Sequence, residues 1–242
     1  MQECLLICID DTDNLESIGT GQVLENMCRE MQDLGFGEAG FVSRHQLLIH
    51  EQIAYTSHNS SMCCEFRTGN TAEVLSFAKT YLEEHAAEGS DPGLCILPVD
   101  AKQDYSALTA FGLQAQSEVL RKADAYLLAE QFPELSLSEH GGTGDGVIGA
   151  LAGVGLRLSG SDGRIKGKIQ PENGLEQLTV SMFCSRYGVD QILTADHVPL
   201  SGDTTLIFDK PTKAILLNNR KTVLAERIGV EWHPIPHKGR KQ

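Results

Sequence analysis

Two clusters of residues in this chain have the types and spacing to do chemistry. The first is Asp10-Asp11-Thr12-Asp13, three carboxylates in four positions directly after the apolar run Leu5-Leu6-Ile7-Cys8-Ile9. A short apolar run bounded by a turn reads as a buried strand. The carboxylates therefore leave the strand together, where a loop can aim them into a cleft. Held that close, they repel one another unless a cation lies among them. Magnesium takes a few carboxylate oxygens and completes its shell with water and phosphate, so Asp10, Asp11 and Asp13 form a candidate Mg²⁺ site. A solvated acidic turn, with Asp13 or Asn14 capping the next helix, accounts for the same residues equally well.

The second cluster, His140-Gly141-Gly142-Thr143-Gly144-Asp145-Gly146, runs straight into a helix expected from Gly146 to Leu158. Glycines allow backbone amides to approach an anion closely, and a helix N-terminus favours negative charge. Gly141, Gly142, Thr143, Gly144 and Gly146 are the candidates for holding nucleotide phosphates. No Gly-Lys-Ser/Thr closes the loop and no strand is expected before it, so neither the Walker pattern nor the dinucleotide fingerprint applies. A flexible interdomain loop is the alternative. A metal cluster and a phosphate loop in one chain support each other. Arg44 and His58, the latter in the polar run Tyr55-Thr56-Ser57-His58-Asn59-Ser60, are further candidates for holding substrate or phosphate, with ordinary edge-strand roles also open. Thr20 is either the N-cap of a helix or a hydroxyl presented near the metal.

These residues need elements to position them. Apolar spacing predicts a strand at Leu5–Ile9, a helix from Thr20 to Leu34 stopped by Gly35 and Gly37, and strands at Phe41–Ile49 and Ser61–Phe66. A helix from Thr71 to Ala87, with Asn70 or Thr71 as N-cap, and a strand at Leu94–Leu97 follow. The order β-α-β-β-α-β is that of a ferredoxin-like split unit, so an α+β fold with a mainly antiparallel sheet and helices on one face is expected. A helical section from about Asp104 to Ala129 is ended by Pro133. Residues 1–158 make the nucleotide- and Mg-binding part. Residues 159–242 open on Gly, Ser and Asp and read as a small β-rich appendix, with strands at Leu178–Phe183, Thr204–Phe208, Ala214–Leu217 and Val223–Glu226.

Composition narrows the class. Hydrophobic residues at 41% and charged residues at 22% are those of a globular protein. No apolar run reaches the roughly 18–20 residues that span a bilayer, and Met1-Gln2-Glu3 lacks a basic secretory start, which makes the cytoplasm the expected address. The 7 cysteines, with no Cys-x-x-Cys pair, read as small buried hydrophobes. A net charge of −13 leaves no extended basic footprint outside the tail His237-Lys238-Gly239-Arg240-Lys241, so weak or no tRNA binding by the isolated chain is expected.

The chain resembles the kinase domain of the archaeal tRNA(Ile) agmatinylcytidine synthetase family. The likeness is carried by Ile9-Asp10-Asp11-Thr12-Asp13-Asn14 and by Gly144-Asp145-Gly146-Val147-Ile148-Gly149-Ala150-Leu151-Ala152, with Ile53-Ala54-Tyr55 between them, and it spans roughly Leu5 to Leu158. It implies an ATP- and Mg²⁺-dependent phosphotransfer domain of a kinase or ligase kind. Asp10, Asp11 and Asp13 would hold the metal, the loop glycines the phosphates, and Thr20 would fall where the family has a threonine that is itself phosphorylated. Gly21 stands where the family has a second hydroxyl, and His58-Asn59-Ser60 stands for its Arg-Gly-Asn triplet. The family's RNA-binding barrel and zinc ribbon have no counterpart in the sequence. The expected acceptor is therefore a small molecule or an RNA brought by a partner subunit, and the alternative is a nucleotide-binding regulatory or scaffold protein without turnover.

Overall fold

Alternation in the first strand decides the layering. In β1 (Glu3–Asp10), Leu5, Ile7 and Ile9 point to one face, and Leu6 and Cys8 to the other. Both sets are buried, so both faces must be covered. The computed structural model, which describes residues 2–56, 58–172 and 174–236, shows how. The chain divides into two compact units, Met1–Ser159 and Gly160–Gln242.

In the first unit β1 is followed by α1 (Thr20–Asp33), β2 (Gly37–Gln46), β3 (Ser60–Thr68), α2 (Thr71–His85), β4 (Gly93–Pro98), α3 (Ser106–Gln114), α4 (Lys122–Ala129), β5 (Ser136–Glu139) and α5 (Gly146–Leu158). The sheet runs β5-β4-β1-β3-β2 with every neighbouring pair antiparallel. Val23, Leu24 and Met27 of α1 and Val74, Ala78 and Leu82 of α2 pack on Leu5, Ile7 and Ile9. Leu108 and Phe111 of α3 and Ala150, Leu151 and Val154 of α5 pack on Leu6 and Cys8. The expectation of helices on one face therefore holds for α1 and α2 alone. The apolar side chains of residues 106–158 supply a second layer that covers the other face. Asn70 caps α2, its side chain accepting from the Glu73 N–H at 3.3 Å.

The expected helix from Asp104 to Ala129 is two helices, broken across residues 115–121. The glycine loop follows a strand after all, since Ser136–Glu139 pairs with β4. The cysteines are not all thiols: Cys8 and Cys63, opposite each other in the β1–β3 register, form a disulfide. Such bonds are rare in cytosolic proteins, and the cytoplasmic address stays an expectation. No helix among the described residues is long and apolar enough to cross a membrane.

The second unit contains β6 (Arg164–Ile165), β7 (Glu176–Thr179), α6 (Val180–Tyr187), β8 (Gln191–Thr194), β9 (Thr205–Phe208), β10 (Ile215–Leu217), β11 (Arg220–Ile228) and β12 (Glu231–Pro234). Its strands run β6-β10-β11-β12-β9-β7, with β8 joining β11 in parallel. Phe183, Tyr187 and Phe208 form its aromatic centre, with ring centroids 4.8–5.5 Å apart. The strand expected at Leu178–Phe183 turns into helix at Val180, where Thr179 accepts from the Met182 N–H at 3.2 Å and caps α6. The basic tail lies outside the described residues.

Candidate functional site

Antiparallel pairing brings the ends of several strands together. β1 ends at Asp10, opposite Gly93 at the start of β4, and Ser61 near the start of β3 donates to the Ile9 carbonyl at 3.4 Å. β5 ends at the same place, so the glycine loop that follows it is delivered beside the acidic turn. The joint is tight. A side chain on Gly93 would put its Cβ 2.1 Å from the Gly146 carbonyl carbon, and one on Gly149 would come within 1.6 Å of Asp10 Oδ2.

Asp91 links the two motifs. Its N–H donates to the Asp11 carbonyl at 3.1 Å. Its carboxylate accepts from the Gly144 N–H at 2.5 Å, from the Asp145 N–H at 3.3 Å and from the Thr143 hydroxyl. Loop amides that suit a phosphate are thus held by a protein carboxylate. Gly142 and Gly144 have φ of +58° and +83°, a region glycine enters without steric cost. A Cβ at Gly142 would lie 2.9 Å from the Asp91 carboxyl, and one at Gly144 would lie 1.8 Å from Glu139 Oε2. Gly141 follows His140, whose N–H donates to the Pro92 carbonyl at 2.9 Å. Lys122, at the start of α4, reaches the loop as well, donating to the Thr143 carbonyl at 2.6 Å and to Glu139 at 3.2 Å.

The acidic turn is crowded with like charge. Burial pushes the Asp10 carboxyl up to about 8, with repulsion from Asp11 and Asp13 adding to it. The residue is half-buried overall, but its carboxyl is wedged against α5 at Gly149, so deep placement of the charged group is the fitting description. Asp11 is raised to about 6, first by burial and then by Asp91 and Asp13. Its backbone sits at φ +50°, a left-handed conformation that aspartate tolerates better than most residues. Thr20 is the first residue of α1, with Gly19 as N-cap. Its buried hydroxyl donates to Asp13 Oδ1 and accepts from the Thr12 N–H at 3.3 Å. The Thr12 hydroxyl is buried with no hydrogen-bond partner.

Asp10, Asp11 and Asp13 thus share one turn and feel one another's charge. Yet among the described residues no three His, Cys, Asp or Glu side chains group tightly enough to hold a metal ion by themselves. Thr20 engages Asp13, and the Asp10 carboxyl lies against α5 at Gly149. Magnesium bound mainly through phosphate and water needs only one or two carboxylates, and Asp11 with Asp91 or Asp10 supplies that many. Arg44 runs along the sheet, its Nε donating to Ser60 at 3.0 Å and its Nη2 to Gln46 at 3.2 Å. His58 is exposed in the loop between β2 and β3. That loop meets the acidic turn through Thr56, whose hydroxyl donates to the Asp13 carbonyl at 3.0 Å. Sequence reasoning missed Asp91 and Lys122. The signal for Asp91 was present, since a β-α-β-β-α-β sheet sets the start of the fourth strand beside the end of the first.

No family model matches the chain, and no curated protein matches it. Solved structures do match, and they define the fold as TiaS-like. The complex of TiaS with an isoleucine tRNA and ATP aligns with a TM-score of 0.55 at 22% identity, over 74% of this chain and 39% of that one. The complex of TiaS with the same tRNA, AMPCPP and agmatine gives 0.54 at 20% over the same shares. Apo TiaS, an agmatidine synthetase of that tRNA, gives 0.53 at 21%, over 78% of this chain and 40% of that one. The chain therefore spans about two fifths of the length of these proteins, and the likeness is one of fold.

Proposed function

We propose that the first unit is an ATP- and Mg²⁺-dependent phosphotransfer domain of the kinase or ligase kind. The observation that carries this reading is the bridge through Asp91, which ties the carboxylate turn to the glycine loop although the two lie far apart in sequence. A bound Mg²⁺ would neutralise charge on the transferring phosphoryl group. Asp11 and Asp91, with Asp10 beside them, would hold it, and the amides of Gly144 and Asp145 would turn from Asp91 to the nucleotide phosphates. Thr20, the first residue of α1, keeps its hydroxyl on Asp13 beside the acidic turn. The strand order β4-β1-β3-β2, with α1 and α2 as crossovers, supports reading the core as a ferredoxin-like split unit.

The similar structures hold an isoleucine tRNA, ATP or AMPCPP, and agmatine. On this reading the chain shares their ATP-handling part and acts on an RNA nucleoside or a small molecule. One observation favours a second reading, a nucleotide-binding regulatory or scaffold protein: Asp91 already occupies the loop amides. Single-turnover analysis with γ-labelled ATP separates the two. Label leaving ATP in the wild type and not in Asp11→Ala supports phosphotransfer, whereas ATP that binds and stays intact in the wild type establishes the second reading.

A further inference from the structure

The charge of this chain is not spread evenly. Residues 1–159 hold 8 Lys and Arg against 24 Asp and Glu, a net of −16. Residues 160–242 hold 12 against 9, a net of +3. With the three tail cations set aside, 9 cations balance 9 anions in the second unit. Four of those nine line a single cleft of about 490 Å³, Lys166, Lys168, Arg186 and Lys221, with Tyr187 and Ile169 beside them. No carboxylate is among the described lining residues.

The cleft is built rather than incidental. Glu176, 8% exposed, fixes two of its walls by accepting from Arg186 Nη1 at 3.1 Å and from the Tyr187 hydroxyl at 2.5 Å. Lys221 is placed by its N–H on Asp190 at 2.6 Å and by its Nζ near the Tyr187 carbonyl at 3.5 Å. Gly167, at φ +97°, turns the backbone between Lys166 and Lys168, and a Cβ there would meet nothing within 4 Å. Like charges gathered along one cleft repel, and an anion lying among them relieves that repulsion.

We propose that this cleft binds a phosphate-bearing ligand. Arginine forks onto phosphate oxygens and lysine adds point charge, while the ring of Tyr187 and the side chain of Ile169 offer an apolar wall. The volume lies within the roughly 300–1,000 Å³ of small-molecule sites, so it admits a small organic phosphate or one phosphodiester of a strand. An amine carries the wrong charge for it. The inference does not rest on the reading of the first unit.

The test is an NMR titration of the full chain, following the amide resonances of Gly167 and Gln170, which report this cleft and not the first unit. The probes are inorganic phosphate, ribose 5-phosphate and a single-stranded RNA decamer. Wild type, Lys168→Glu, Lys168→Gln and Arg227→Glu are compared. Arg227 is exposed on β11 outside the cleft, so its reversal matches the change in net charge. Saturable shifts weakened about tenfold or more by Lys168→Glu, less by Lys168→Gln and under about twofold by Arg227→Glu support the site. Binding of ribose 5-phosphate identifies a small phosphate as the source, and binding of the RNA alone identifies a strand. No saturable shift with any probe, or an equal loss in Arg227→Glu, overturns the proposal.

Discussion

At the scale of single residues, the acidic turn behaves unlike surface carboxylates because Asp10 has no cation among its described neighbours and little water. A carboxyl whose folded pKa is raised from 3.8 to about 8 contributes most stability when protonated. That contribution is complete below about pH 4 and is lost as pH rises through about 8. The melting temperature of the metal-free protein should therefore fall between pH 5 and pH 8.5. Asp10→Asn should flatten this slope, melt higher at pH 8 and lose ATP turnover; a variant that keeps the wild-type slope would assign the strain elsewhere. Asp91 gives a second expectation. Replacing it with Ala frees the Gly144 and Asp145 amides, so ATP binding measured in EDTA should tighten by about tenfold while turnover with Mg²⁺ is lost. Equal affinity in EDTA would show that phosphate does not meet those amides. The Asp10–Asp13 turn and the glycine loop were legible in the sequence because their residue types are unusual for their positions. Asp91 was legible only through the order of the strands, because Asp91-Pro92-Gly93 by itself has the composition of any turn. Only the register setting Gly93 opposite Asp10 gives it a role.

At the scale of elements, α5 is the part that lets the site close. One side of it carries Gly149 against the Asp10 carboxyl and Gly153 against Ser61, whose Oγ would be 2.2 Å from an added Cβ. Another side carries Gly155, where a Cβ would lie 1.9 Å from the Leu108 carbonyl oxygen of α3. Gly155→Val should thus lower stability by about 1–3 kcal/mol, read as a lower urea midpoint with an unchanged slope. A midpoint equal to wild type would mean that α3 moves aside freely. The limits of α1 and α2 were legible to within a residue or two, because their apolar stripes and stop signals are strong. The break between α3 and α4 was not, since residues 115–121 contain neither Gly nor Pro. β5 was missed for a different reason: Ser136–Glu139 is only partly buried and carries little apolar pattern. For α6 the signals existed and were outweighed by the apolar run. Thr179 caps its start, and Gly188 ends it at φ +58°.

At the scale of the whole molecule, net charge alone misleads. The −13 of the chain hides an acidic unit that repels RNA and a second unit whose cations converge on one cleft. Few contacts to phosphate mean weak binding with a shallow salt response. The isolated chain should bind tRNA with a dissociation constant above about 1 µM at physiological salt. Four cleft cations, at roughly 0.7 each on a single strand, give a log–log salt slope of about −3. Filter binding across a salt series decides the matter: submicromolar affinity with a much steeper slope would require a larger RNA surface than the described residues offer.

The place of β1 in its sheet has a consequence during synthesis. It is translated before all of its neighbours, for it lies between β3 and β4 and is covered on one face by α5. At about 5–20 residues per second, on the order of 10 s separates translation of Asp10 from that of Gly146. Until β3 and β4 are made, Leu5 to Ile9 is an apolar strand with open edges, the kind of segment that pairs with other nascent chains, and its Leu6 face stays bare until α5 is made. Newborn copies of this protein would depend on holdase chaperones at the tunnel exit, and Cys8 would wait as a thiol until Cys63 arrives opposite it.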